Sequence, residues 1–241
     1  MAELLAAGAD PNSRQGDGST ALHWAAHRNY GEAVQFLLGS GANPDASNEL
    51  GATPLWLAAS NGSAAVVEKL LAAGANPNAR LRMGETSLMS ASRTGDLDTV
   101  SLLINAGAEI DAAEEERGQT ALMWAVAQSH RAVASMLLEH GADLNARSKV
   151  WYQLENTAGN TNPSGNYRMA HGGSSAIMFA SRVGDIDTAK TLLDAGADVN
   201  ETAASGVSVL TQAAHSGHEE LAIYLLERGA DPNSIEAGYT P

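Results

Sequence analysis

His23 and His27 stand four residues apart, a spacing that puts two imidazoles on one helix face and suits a metal ion. No third ligand accompanies them, so no metal site is assigned. Glu114-Glu115-Glu116 offers paired carboxylates for acid–base work. The run sits in a polar connection with no apolar wall to raise a pKa, and is expected to be a solvated charge run. The chain has no cysteine, which removes disulfides, Cys-containing zinc sites and thiol catalysis together. It also lacks an H-E-x-x-H zinc pattern, a phosphate-binding glycine loop and a nucleophile elbow. No catalytic, cofactor-binding or metal-binding residue is therefore assigned, and the chain is expected not to be an enzyme.

Charge narrows the partners. The 241 residues include 14 Lys+Arg against 28 Asp+Glu, a net charge of −14. Such a chain repels phosphate backbones and anionic headgroups, so nucleic acid is not expected as a partner. No apolar run approaches the ~18 residues of a membrane span. Met1-Ala2-Glu3-Leu4-Leu5 shows no basic segment leading into an apolar one, so no signal peptide is expected in this stretch. Asn61-Gly62-Ser63 and Asn200-Glu201-Thr202 match glycosylation triplets, which are common by chance.

The elements that position these residues form a repeat. Gly-Ala pairs follow Leu-rich segments at Gly8, Gly41, Gly74, Gly107, Gly141, Gly196 and Gly229, in steps of 33, 33, 33, 34, 55 and 33. A second marker is a hydroxyl before a short apolar segment: Thr20, Thr53, Thr86, Thr120, Ser175, Ser208 and Thr240. Its steps are 33, 33, 34, 55, 33 and 32. Both markers share one period and one interruption, which leaves a 22-residue insertion. Each hydroxyl is placed to cap a helix, and Pro54 suits a first helical turn. Leu22, Leu55, Leu88, Leu122, Ile177 and Leu210 are expected to point inward, with small pairs such as Ala25-Ala26 admitting a neighbouring helix. A second helix carries Leu37-Leu38, Leu70-Leu71, Leu103-Ile104, Leu137-Leu138, Leu192-Leu193 and Leu225-Leu226. Helices of about eight to ten residues are marginal alone, so each unit must lean on its neighbours in a one-dimensional stack.

At these residues the chain resembles the ankyrin-repeat family. The family pattern T-P-L-H-x-A-A is matched by Thr20-Ala21-Leu22-His23-Trp24-Ala25-Ala26 and Thr53-Pro54-Leu55-Trp56-Leu57-Ala58-Ala59. Later copies begin Thr86-Ser87-Leu88-Met89, Thr120-Ala121-Leu122-Met123 and Ser175-Ala176-Ile177-Met178. Met in the His place is similar to many bacterial ankyrin arrays. The resemblance implies an all-α repeat solenoid of antiparallel helix pairs with β-hairpin fingers, about six full repeats and a partial repeat at each end. As one domain over 1–241, the expected units are 1–14 (partial), 15–47, 48–80, 81–114, 115–147, a finger insertion at 148–173, then 174–202, 203–235 and 236–241 (partial). It implies a Thr–His bond only where His23 fills the His place, and makes His215 and His218 packing residues. Asn29 and Ser129 replace the inter-helix Gly, and the bend at Ser129 is expected to differ. Leu4, Leu5 and Gly8 read as half of an N-terminal unit, and Gly238-Tyr239-Thr240-Pro241 as the start of another. The chain is thus expected to be a segment of a longer protein, or to associate end to end through uncapped repeats.

The resemblance also implies a concave face of finger tips and first helices that binds another protein or peptide. There this sequence puts Asp17, His27, Arg28, Glu49, Leu50, Asn61, Arg82, Met83, Arg93, Arg117, Gln128 and Arg182. These positions share no residue type between units, and Arg is frequent among them; Arg pairs with carboxylates and stacks on rings. The alternative is ordinary solvated surface. The insertion, rich in Asn, Gly, Pro and Ser that disfavour regular structure, adds Trp151, Tyr152, Tyr167 and Arg168. Its rings either anchor a partner or pin the loop onto the array. Trp24, Trp124 and Phe179 share one repeat position and are expected in the core, with Trp56 partly exposed. The leading expectation is a non-catalytic protein-interaction scaffold without cofactor. The runner-up is a regulatory or targeting segment of an enzyme whose catalytic domain lies outside this chain.

Overall fold

A computed structural model describes residues 8–156 and 166–233. Leu4, Leu5, the 238–241 segment and insertion residues 157–165 lie outside this set, as do the side chains of residues 155, 156, 166 and 167. The described residues contain twelve helices and one two-stranded sheet. They divide into two compact units, one ending at Glu115 and one beginning at Glu116.

In the first unit, helix α1 (Ala21–His27) pairs with α2 (Gly31–Gly39), α3 (Pro54–Ser60) with α4 (Ala64–Ala72), and α5 (Ser87–Thr94) with α6 (Leu97–Asn105). The odd-numbered helices pack side by side in chain order, and so do the even-numbered ones. In the second unit, α7 (Ala121–Ala127), α9 (Ala176–Val183) and α11 (Val209–His215) form one row. The other row is α8 (Arg131–Glu139), α10 (Ile186–Asp194) and α12 (Glu219–Glu227). The helices run seven to nine residues, slightly shorter than expected.

The packing follows the repeat. Leu22, Leu55, Leu88, Leu122 and Ile177 are at most 2% exposed, and the first Leu of each second-helix pair is equally buried. Burying one such side chain contributes about 1.5–3 kcal/mol, which a helix this short needs in order to persist. Ala25, Ala58, Ala91, Ala125, Ala180 and Ala213 are buried where first helices approach one another. Leu210 departs from expectation and is only half-buried, while Val209 and Ala213 on the same helix are fully buried. The hydroxyls of Thr53, Thr86, Thr120 and Ser208 accept helix N–H bonds as expected. Thr20 instead bonds the His23 ring, and the buried Ser175 hydroxyl has no hydrogen-bond partner.

The bend at Ser129 does not differ. Ser129 takes φ 59°, beside 55° at Asn29 and 62° at Gly62, so the stack imposes a left-handed conformation on whatever residue stands there. Two ladders join successive repeats inside each unit. One runs along the fingers: the N–H groups of Glu49, Arg82 and Glu115 donate to the carbonyls of Asp17, Leu50 and Met83, and those of Lys149 and Ala204 to Arg117 and Gly172. The other uses side chains beyond the Gly-Ala pairs. Asn12, Asn78 and Asn200 each donate to the next Gly carbonyl and accept from the second residue after it, at 2.7–3.3 Å.

The fingers are tight turns closed by single bridges, such as Arg80–Thr86 and Thr202–Ser208, rather than full hairpins. The insertion is the exception. Strand β1 (Val150–Asn156) pairs antiparallel with β2 (Asn166–Gly172), Val150 opposite Gly172 and Trp151 opposite His171. The β-forming run Val150-Trp151-Tyr152 outweighs the turn-forming composition of the segment as a whole. At its root, Ser148 N–H donates to the Ser174 carbonyl at 3.0 Å, and Ser174 N–H donates to the Ser148 hydroxyl at 3.0 Å. Arg147 holds this root to the following finger, donating to the carbonyls of Gly173 and Thr202 and pairing with Glu201 at 3.2 Å.

Candidate partner-binding surfaces

In the second unit the hairpin, the finger before it and α9 enclose a cleft of about 570 Å³. One face of the hairpin, Trp151 stacked on His171 at 4.3 Å, forms a wall. Opposite it, the Arg182 guanidinium lies 4.6 Å over the ring of Phe179. Arg182 is exposed to solvent, yet the protein around its head lowers its pKa by desolvation. Its backbone is fixed by the residue that caps α12, His218, whose Nε2 donates to the Arg182 carbonyl at 3.0 Å. Gly184 closes α9 at φ 77°, and a Cβ there would fall 2.3 Å from His218 Nδ1, so only glycine meets both demands. Gly172 is equally constrained: a Cβ would fall 2.0 Å from the Lys149 carbonyl, where the hairpin leaves the array. Glu116, Arg117 and Lys149 also line the cleft, and each is engaged in an interaction of its own.

The cleft brings together three of the expected residues, Arg117, Trp151 and Arg182. It does not gather the whole insertion set. Tyr152 and Arg168 lie on the other hairpin face, with the Arg168 guanidinium 4.3 Å from the Tyr152 ring centre, because residues alternate across a strand. Tyr167 belongs to β2, and its side chain lies outside the described residues.

In the first unit a smaller hollow of about 200 Å³ is lined by Asp17, His23, Trp24 and His27 among others. Trp24 is 45% exposed, against the expectation of a core residue; its Nε1 donates to Gln15 Oε1 and its ring meets His27 edge-on. Phe179 is buried as expected, while Trp124 and Trp56 are intermediate. What overhangs each position sets its burial, and Arg182 covers Phe179. Asp17 accepts both bonds of Ser19, backbone N–H foremost, and its pKa is lowered accordingly. Asn61 donates to the His27 carbonyl at 2.7 Å, so it ties α3 to α1. Arg28, Asn61 and Gln128 are the residues that cap the C-termini of α1, α3 and α7. Glu49, Leu50, Arg82 and Met83 are exposed at finger tips.

His23 is 1% exposed, and both its ring nitrogens are used. Nδ1 accepts from Thr20 N–H at 3.1 Å, so Nε2 carries the proton that goes to the Ala52 carbonyl at 3.0 Å. Burial lowers its pKa below 6.5. Two acidic groups depart from what the sequence suggests. Glu114 is buried, so its acidic run is not uniformly solvated. Glu85 is half-buried on the same side of the first unit. Burial pushes its pKa up, and the Arg93 charge with nearby Ser90 and Trp56 partly offsets this. The fixed position of Glu85, one residue before a capping Thr, was the available signal.

A family model described as ankyrin repeats (3 copies) matches residues 1–81, 78–148 and 151–236. The chain belongs to the ankyrin-repeat family. Ankyrin repeats form helix-pair solenoids, and they generally mediate protein–protein interaction as non-catalytic scaffolds. Among the described residues of this ankyrin array, no helix is long and apolar enough to cross a membrane.

Proposed function

We propose that this chain is a protein-interaction scaffold with no catalytic step of its own. Its six full repeats, with the unit boundaries given above, present the first helices and finger tips to a protein or peptide partner, and the hairpin insertion adds a second wall. The observation that carries the reading is the cleft beside α9. The other fingers stack with short turns alone, and the finger lengthened into a hairpin puts an aromatic pair opposite a ring-stacked arginine. Rigid display of this kind loses little ordering entropy on binding. The test is affinity capture from the source organism's lysate. The intact chain is compared with a variant that lacks residues 151–171 and carries Arg82→Ala and Arg93→Ala. Proteins held by the intact chain and lost from the variant support the reading. Equal retention by both, with unchanged circular dichroism, removes it.

A further inference from the structure

Arg93 and Arg182 hold the same place in their repeats, seven residues after the helix-opening Thr86 and Ser175. One neighbour differs. The residue before Thr86 is Glu85, whose carboxylate feels the Arg93 charge. The residue before Ser175 is Ser174, which lines the cleft and carries no charge. The repeat that presents Arg182 therefore lacks the acid that the other repeat supplies to its own arginine. Among the described residues the Arg182 guanidinium makes no hydrogen bond or ion pair, and it keeps only its stacking on Phe179.

Building on the scaffold reading above, we infer that this cleft binds a carboxylate of an acidic peptide segment, with Arg182 as its anchor. The partner's Asp or Glu does for Arg182 what Glu85 does for Arg93, and an adjacent apolar residue packs against Trp151 and Phe179. A guanidinium held flat on a ring keeps its edge N–H groups free for a carboxylate, which they meet as two parallel donors. Charge complementarity selects the site. Arg117, Lys149 and Arg182 outnumber Glu116 around the cleft, on a chain whose net charge of −14 repels acidic segments elsewhere. Glu116 also favours a monoanionic carboxylate over a phosphate dianion, which meets stronger repulsion at the same distance.

The experiment pans a display library of random short peptides on the full chain, then measures binding of the most enriched peptide by fluorescence anisotropy. Enriched peptides are expected to carry Asp or Glu beside Leu, Ile, Phe or Trp. Affinity is expected to fall roughly tenfold or more when that acid becomes its amide, and equally on Arg182→Gln. Arg182→Lys, which keeps the charge and loses the fork, is expected to fall between. Ser174→Glu supplies the missing acid from within and is expected to block the peptide while leaving the urea midpoint equal or higher. The inference is overturned if selection enriches no acidic sequences, if the amide peptide binds as well, or if Arg182→Gln has no effect. It is equally overturned if phosphoserine in place of the acid binds tenfold tighter. Lysate capture separates the two levels. Partners retained alike by the intact chain and Arg182→Gln leave the scaffold standing without this cleft, and partners retained by neither remove both.

Discussion

His23 and Glu85 show opposite effects of burial. Desolvation lowers the His23 pKa and raises that of Glu85, because in each case it disfavours the charged form. For His23, the unfolded chain takes up a proton first as pH falls through about 6.5, so stability is lost from there down to the lower folded value. Met fills the same place, fully buried, at Met89, Met123 and Met178. His23→Met is therefore expected to flatten the fall in urea midpoint between about pH 7 and pH 5; an unchanged slope would exclude His23 as its source. For Glu85, stability instead rises as pH drops through its raised folded value, and Glu85→Gln is expected to abolish that rise. Ser129 carries a different strain. Its φ of 59° disfavours any side chain with a Cβ, and Ser129→Gly is expected to stabilise by about 0.5–1 kcal/mol in urea unfolding. The sequence made the His23 bond readable because a motif names it. It hid the buried Glu114, because a run of like charges reads as surface unless the fold is known.

At the scale of elements, the side-chain ladder was overlooked although its period was in view. Asn12, Asp45, Asn78, Asp111, Asn145, Asn200 and Asn233 recur with the repeat, but a turn-former beside Pro or Asn reads first as a local turn. The bonds at Asn78 instead reach across to Gly107 and Glu109. Asn78→Ala is expected to cost about 1–2 kcal/mol for two bonds with solvent access, read as a lower urea midpoint with an unchanged denaturant slope. A cost near zero would make the ladder incidental. The hairpin was misread for a related reason. Composition averages over a segment, whereas pairing needs only two short β-forming runs in register. Val150, Tyr152 and Leu154 are large apolar or aromatic side chains left exposed, so the hairpin beyond its root adds little to the stack. Deleting residues 151–171 is expected to leave helix content and a cooperative melt nearly intact; collapse of the fold would make the insertion structural.

For the molecule as a whole, the repeat was legible because identical packing demands identical residues at each turn of the period. The Leu and Ala positions could be named in advance. The inward residue of every first helix but Leu210 and the first Leu of every second-helix pair are buried, whereas the second residue of those pairs is mostly half-buried and Leu226 is exposed. The candidate surfaces were legible only as places. Nothing in the spacing told that Arg117, Trp151 and Arg182 converge, since their approach depends on how far a lengthened finger stands over its neighbours. The net charge of −14 is also a property of the whole. Salt screens its self-repulsion, so raising ionic strength from about 0.02 M to about 0.15 M is expected to raise the melting temperature while weakening capture of acidic partners. A fall in both would assign the dominant effect to ion pairs such as Arg80–Glu109. The mutual bonding of Ser148 and Ser174 has a practical side. The chain departs and returns at one closed doorway, so whatever is threaded through it, a longer antigen loop or a reporter domain, can be exchanged without re-registering the rows on either side.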